Sequence, residues 1–209
     1  MSPRRSYDQY CSAARALDVV GDRWTLLIVR ELLAGPRRYT DLHADLPGVS
    51  TDVLASRLKD MERDGLTTRR RLPPPGAAYV YELTERGREL LPVLQALGAW
   101  GQAELGERRP TDAVRAHWFA LPFLRALEGE GLVEVRLEEG TFHLYVGIAE
   151  DGPVYGDGPA PVEPDARLVL DSATSTAISR GELSLLDAVR GGRIEVTGDG
   201  TLAKALREA

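Results

Sequence analysis

Between Ser50 and Asp64 the side chains sort onto two sides of a helical wheel. Leu54, Leu58 and Met61 recur at the spacing of a buried helix stripe. Asp52, Ser56, Lys59 and Arg63 fall opposite, with Thr51 and Arg57 at the flanks. A polar, mostly short-sided front on an apolar back is what a helix needs to enter a major groove and meet base edges. An ordinary amphipathic surface helix carries the same pattern, so the neighbourhood has to decide. Arg69-Arg70-Arg71 follows almost at once, and Pro73-Pro74-Pro75 stiffens the turn beyond it. Guanidinium groups on such a hairpin suit phosphates or a narrow minor groove. A run of like charge on a solvated strand edge would read the same way. Strand residues alternate sides, so either Arg69 and Arg71 face nucleic acid and Arg70 does not, or the reverse.

The elements that would position these groups can be placed by periodicity and by caps. One helix is expected over Cys11–Val20 and a second over Arg23–Leu33, with Asp22 as its N-cap and Gly35-Pro36 as its stop. A short helix spans Thr40–Leu46, and Pro47-Gly48 turns the chain. Ser50 caps the grooved helix and Gly65 closes it. Leu66–Leu72 and Tyr79–Leu83 read as two strands around a stiff turn of Pro73-Pro74-Pro75-Gly76. Thr84 starts a long helix from Glu85 to about Leu105, which Pro92 bends. The charged, Pro-bearing stretch Glu107–Thr111 marks the expected boundary between a domain of residues 1–108 and one of 109–209.

Beyond that break a helix is expected over Asp112–Leu127 and a hairpin over Leu132–Glu138 and Thr141–Ile148, turning at Glu139-Gly140. Asp151–Pro164 reads as loop with a short strand. The chain then gives a strand at Arg167–Leu170, helices at Ser172–Ser179 and Leu183–Val189, a strand at Arg193–Thr197 and a closing helix at Thr201–Glu208. The fold class is therefore α+β in two parts.

Charge separates the same two parts. Over residues 1–109 there are 17 Lys+Arg and 15 Asp+Glu, a net of +2, while residues 110–209 hold 9 and 17, a net of −8. A DNA reader joined to a module that does not touch DNA has this asymmetry. No apolar run approaches the roughly 20 residues of a membrane span, and the N-terminal stretch lacks the apolar core of a secretion signal. Together with the single cysteine, Cys11, this suggests a cytoplasmic protein. His43, His117 and His143 are far apart and lack partners at metal-ligand spacing, so no metal is expected. Gly156-Asp157-Gly158 lacks the third glycine and the flanking elements of a dinucleotide loop, and no catalytic motif is present, so neither cofactor nor enzyme activity is expected.

The run YCSAARALDVVGDRWTLLIVRELLAGPRRYTDLHADLPGVSTDVLASRLKDMERDGLTTRR, continued by YVYELTERGRELLPVL, resembles the HxlR family of bacterial regulators, a branch of the MarR-like winged helices. The resemblance spans roughly residues 10–105. It implies a winged helix-turn-helix and a homodimer packed through the first and last helices of the domain; a two-fold dimer is expected to read a near-palindromic, double-stranded DNA operator. It implies that Ser50–Arg63 is the recognition helix and that Arg37 and Arg38 contact phosphates. The wing tip Pro75-Gly76-Ala77-Ala78 departs from the family in being small and uncharged. Some members sense oxidants through a cysteine placed like Cys11. Cys11 opens a helix, with Arg15 one turn on, and both would favour a thiolate; a small buried hydrophobe is the alternative.

The second half, AISRGELSLLDAVRGGRIEVTGDGTLAKAL, is similar to the end of a sterol-carrier-like domain. That resemblance implies an α/β layout with an apolar tunnel and hence an apolar small-molecule effector. Trp118, Phe119, Phe123 and Tyr145 would line the tunnel, or else form plain core. The expected function is a ligand-modulated DNA-binding transcriptional regulator. A small-molecule carrier whose winged helix serves only dimerisation is the alternative.

Overall fold

The computed structural model describes residues 6–74, 78–148 and 152–208. The expected wing-tip residues Pro75, Gly76 and Ala77 lie outside them. Packing divides the chain into two compact units, one of Met1–Leu32 with Pro36–Leu90, the other of Leu33–Gly35 with Leu91–Ala209. This division falls ahead of the break expected at Glu107–Thr111.

The first unit orders α1 (Ser12–Val20), α2 (Thr25–Leu33), β1 (Arg37–Arg38), α3 (Tyr39–Asp45), α4 (Thr51–Arg63), β2 (Thr67–Arg71), β3 (Tyr79–Leu83) and α5 (Glu85–Arg88). The last residue of α2, Leu33, clusters with the second unit. Helix α2 begins two residues later than expected, because the Asp22 carboxylate accepts the Trp24 amide at 2.9 Å and holds that stretch in a turn. Ser50 caps α4 by accepting the Val53 N–H at 3.3 Å. Gly65 follows at φ +71, a left-handed conformation that a residue with Cβ adopts at a cost. Thr84 accepts the Gly87 N–H and donates to the Gly65 carbonyl, tying the end of α4 to the start of α5. The strands form an antiparallel sheet in the order β1-β3-β2. Strand β1, two residues long, is too short to carry a periodic signal in the sequence.

The long helix expected from Glu85 to Leu105 is two helices. It stops after Arg88, turns at Glu89-Leu90, and resumes as α6 (Leu91–Gly101), followed by a 3-10 turn at Gln102–Glu104. Pro92 has no N–H for the Arg88 carbonyl, and its ring would crowd that carbonyl, so the chain breaks rather than bends.

The second unit continues with a 3-10 helix at Ala116–Phe119, α7 (Ala120–Ala126), β4 (Gly131–Leu137), β5 (Gly140–Val146), β6 (Tyr155–Asp157), β7 (Ala166–Leu170), α8 (Ser172–Ser179), α9 (Leu185–Arg190), β8 (Ile194–Thr197) and α10 (Thr201–Glu208). The helix expected over Asp112–Leu127 forms only from Ala116. Pro122 sits in the first turn of α7, where its missing N–H has no partner to lose; a helix starting at Asp112 would have placed it in the interior. The hairpin turns at Glu138-Glu139, with Leu137 opposite Gly140, one residue earlier than expected.

The five strands run β6-β5-β4-β7-β8, with β4 and β7 parallel and the other pairs antiparallel. One face of this sheet is core. Val133, Val135, Phe142, Leu144, Ala166 and Leu168 are fully buried on it, and Phe123 of α7 meets Phe142 edge-on with ring centroids 5.9 Å apart. The other face carries a polar row. His143, Glu134 and Arg167 are cross-strand neighbours on β5, β4 and β7. The segment after β6 crosses this row: the Ala160 amide donates to Glu134 at 2.9 Å, and His143 Nδ1 lies 3.0 Å from the Gly158 carbonyl. Gly156 is required beneath it, since a Cβ there would stand 2.3 Å from the His143 ring. Among the described residues no helix is long and apolar enough to cross a membrane.

Candidate nucleic-acid interface

The grooved helix is held from behind and from its N-terminal end. Leu54, Leu58 and Met61 are buried, and the Tyr39 hydroxyl donates to the Thr51 carbonyl at 2.7 Å, fixing the start of α4 to α3. Ser50, Thr51, Asp52, Ser56 and Lys59 are exposed on the front. The cations of α4 differ in what they are free to do. Arg57 is half-buried and pairs with Asp60 at 3.2 Å and Asp22 at 3.5 Å. Arg63 pairs with Asp60 and Asp64. Lys59 is the only cation of this helix without an ion pair among the described residues.

Ahead of α4, Arg38 is exposed, and its amide donates to Asp41 at the start of α3. Arg37 is largely buried, 4.0 Å from Asp45. Both are expected to contact phosphates, but the fold leaves Arg38 exposed and Arg37 largely covered.

The hairpin resolves the alternation of its three arginines. Arg70 grips the Glu82 carboxylate through Nε and Nη2, at 3.1 to 3.2 Å. Arg69 and Arg71 lie on the opposite side, across from Tyr81 and Tyr79. The Arg69 guanidinium stacks over the Tyr79 ring, 4.0 Å from its centroid, and stands 5.9 Å from that of Tyr81. Burial raises the Tyr81 pKa; Arg69 lowers it in part, while Glu62 and Tyr39 add to the rise, so this side of the hairpin adjoins α3 and α4. The tyrosines were not among the expected site residues. The signal was present in the alternation of Tyr79, Tyr81 and Leu83, but only the strand register shows which arginine each one faces.

A family model described as HxlR-like helix-turn-helix matches residues 19–109. The HTH-type transcriptional regulator YvaP of Bacillus subtilis is 37% identical over 86 residues, which is 41% of this chain and 80% of that protein. YodB, an HTH-type transcriptional regulator of the same organism, is 36% identical over 85 residues, covering 41% and 76%. The chain belongs to the HxlR-like helix-turn-helix family. A solved structure of YodB in its reduced form aligns with 34% identity and a TM-score of 0.41, over 45% of this chain and 93% of that one. The relatives and the family are transcriptional regulators, not enzymes.

Two further features of this HxlR-like chain bear on the expected sites. Cys11 is exposed, not a buried hydrophobe, and stands at the N-cap of α1. The Ala14 and Ala13 amides there hold its thiol pKa below the ordinary value. Arg15, expected to help, instead donates to Ser6 and pairs with Asp18. In the second unit Trp118 and Phe119 are half-buried on the 3-10 helix, next to His117, which stacks on Tyr155 of the core face. Phe123 is buried on that same face. Tyr145 is not: it sits against His143 on the polar face. The structure therefore does not bring the four proposed ligand residues together.

Proposed function

We propose that this chain regulates transcription as a homodimer that reads a near-palindromic duplex operator, and that an apolar small molecule in the second unit sets its affinity for DNA. One observation carries the DNA reading. The exposed front of α4 offers Thr51, Asp52, Ser56 and an unpaired Lys59 to base edges, while Arg38, Arg69 and Arg71 remain at the surface for phosphates. The dimer reading is supported by the uncovered stripe Val93, Leu97 and Trp100 on α6 and by Leu17 on α1. Residues 1–108 would then be the DNA-binding and dimerisation module and 109–209 the effector module, with a sterol-carrier-like identity.

The effector reading is supported by a mixed sheet whose apolar face is covered by helices, with Trp118, Phe119 and Phe123 on that side. Such folds hold small apolar ligands with few polar anchors. The acidic balance of this half keeps it away from DNA. To switch the dimer, the ligand must bind the DNA-competent and incompetent forms unequally, and couplings of about 1–3 kcal/mol are typical.

The test is a mobility shift of the full chain on the duplex upstream of its own gene, with excess unrelated competitor, across a salt series, and with or without palmitate. A salt-sensitive, sequence-selective shift supports the regulator. A chain that binds palmitate, quenching Trp118 fluorescence in a Trp24→Phe, Trp100→Phe background, yet shifts no duplex would be a carrier.

A further inference from the structure

The three consecutive arginines of β2 look equivalent in sequence, but the fold gives them three different states. Arg70 is neutralised by a bidentate carboxylate, three contacts of 3.1 to 3.2 Å with Glu82. Arg71 is exposed and carries no ion pair among the described residues. Arg69 has no carboxylate partner among the described residues: its guanidinium carbon stands over the Tyr79 ring, 4.0 Å from the centroid, with the Tyr81 centroid at 5.9 Å. Its direct cross-strand neighbour is Tyr81, so the side chain leans along the strand onto the diagonal ring.

Stacking of this kind uses the π-face of the guanidinium and leaves its N–H donors at the edge. Among the described residues no hydrogen bond or ion pair uses those donors. Tyr79 itself is 48% exposed, so the pair stands at the surface rather than in the core. A guanidinium seated on a ring, with its donors unspent, is suited to a bidentate anion such as a phosphodiester.

We propose that Tyr79 is a positioning residue for DNA binding, holding Arg69 ready for a backbone phosphate of duplex DNA. The proposal rests on the reading of this hairpin as a DNA-contacting wing. Its physical content is entropic. A free arginine must be immobilised when it binds, at about 0.5–1.5 kcal/mol per side chain, or roughly a two- to tenfold loss in affinity. Arg69 has already met that cost in the unbound protein, whereas Arg71 has not.

The experiment measures binding of the full chain to a fluorescein-labelled duplex of arbitrary sequence, since phosphate contacts do not depend on sequence. Titrations across a salt series compare wild type with Tyr79→Leu, Tyr79→Phe, Arg69→Ala and the double variant Arg69→Ala, Tyr79→Leu. Tyr79→Leu should weaken binding roughly two- to tenfold with the salt slope unchanged, because the charge is still there. Tyr79→Phe should restore wild-type affinity. Arg69→Ala should reduce the slope by about 0.9, the value of one phosphate contact, and adding Tyr79→Leu should then cost nothing more. Additive losses, or a Phe variant as weak as Leu, would overturn the positioning role. If Arg69→Ala has no effect, the wing reading itself falls; if it weakens binding while Tyr79→Leu matches wild type, only the positioning role falls. A variant-free measurement stands beside these: in DNA-free wild type the Arg69 Nε–H order parameter should exceed that of Arg71, and equal mobility would overturn the proposal.

Discussion

Leu97→Asp should convert a dimer into monomers without unfolding the chain. On α6, Val93, Leu97 and Trp100 are 45, 46 and 78% exposed and follow one another at helical spacing, whereas Leu94 is 5% exposed and points into the chain's own core. Burying a leucine side chain fully is worth about 1.5–3 kcal/mol. Leu97 is already half covered, so a partner's stripe would gain about 1 kcal/mol from it in each protomer, and a two-fold interface counts it twice, for about 2 kcal/mol. An aspartate placed there also loses its hydration, adding roughly 1–3 kcal/mol per copy. The total, about 4–8 kcal/mol, raises the dimer dissociation constant on the order of a thousandfold or more. Sedimentation equilibrium of the full chain at micromolar concentration measures this, with circular dichroism confirming the fold. Leu94→Asp is the contrasting variant and should cost the fold itself. A Leu97→Asp dimer constant within about tenfold of wild type, or a wild type that is monomeric, would refute the reasoning.

Lys59→Ala should reduce selective DNA binding by about 1–3 kcal/mol if its ammonium meets a base edge; selectivity over unrelated duplex, read by competition, should fall with it, and unchanged selectivity would count against α4 as the reader. The Cys11 thiol should alkylate at a pH below that of a free cysteine, and Cys11→Ser should abolish any loss of DNA binding caused by diamide. Wild-type binding indifferent to diamide would leave that thiol without a sensing role. Burial opposes the charge on Glu134, but the Ala160 amide, Arg136 and Arg167 outweigh it and hold the carboxyl below its ordinary pKa. A folded-state pKa below the unfolded one contributes stability that is present above the unfolded value and lost as pH falls through the folded one. The stability advantage of wild type over Glu134→Gln should therefore shrink as pH drops below about 4.3; a constant advantage in denaturant melts between about pH 7 and about pH 3 would contradict the sign.

Much of the fold was legible because its signals are local. The cap at Ser50, the glycine after α4, the cap at Thr84 and the alternation of β4 and β5 each depend on a few adjacent residues, so α4, β4, β5 and the start of α5 lie within a residue or two of where the sequence puts them. The errors have local causes too, misjudged in strength. Pro92 is expected to bend a long helix and the Asp112–Leu127 helix is expected to run through Pro122, yet each proline determines where a helix stops or starts, because a missing donor is harmless only in a first turn. Strand β1 escaped because two residues cannot show a period.

The apolar back and polar front of α4, the arginine cluster after it and the split in charge between the two halves were determined by the amino-acid sequence alone, since composition and period are properties of the chain. Which cation is spent was not. Glu82 and Asp22 remove Arg70 and Arg57 from the exposed charge only because folding brings them within a few ångströms, from twelve and thirty-five residues away. The same holds for Tyr145 and Phe123: both are aromatic residues in the same half of the chain, but strand register turns Tyr145 to one face of the sheet while helix α7 packs Phe123 on the other. Pairing register and side-chain proximity are set by long-range packing, and no window along the sequence contains them.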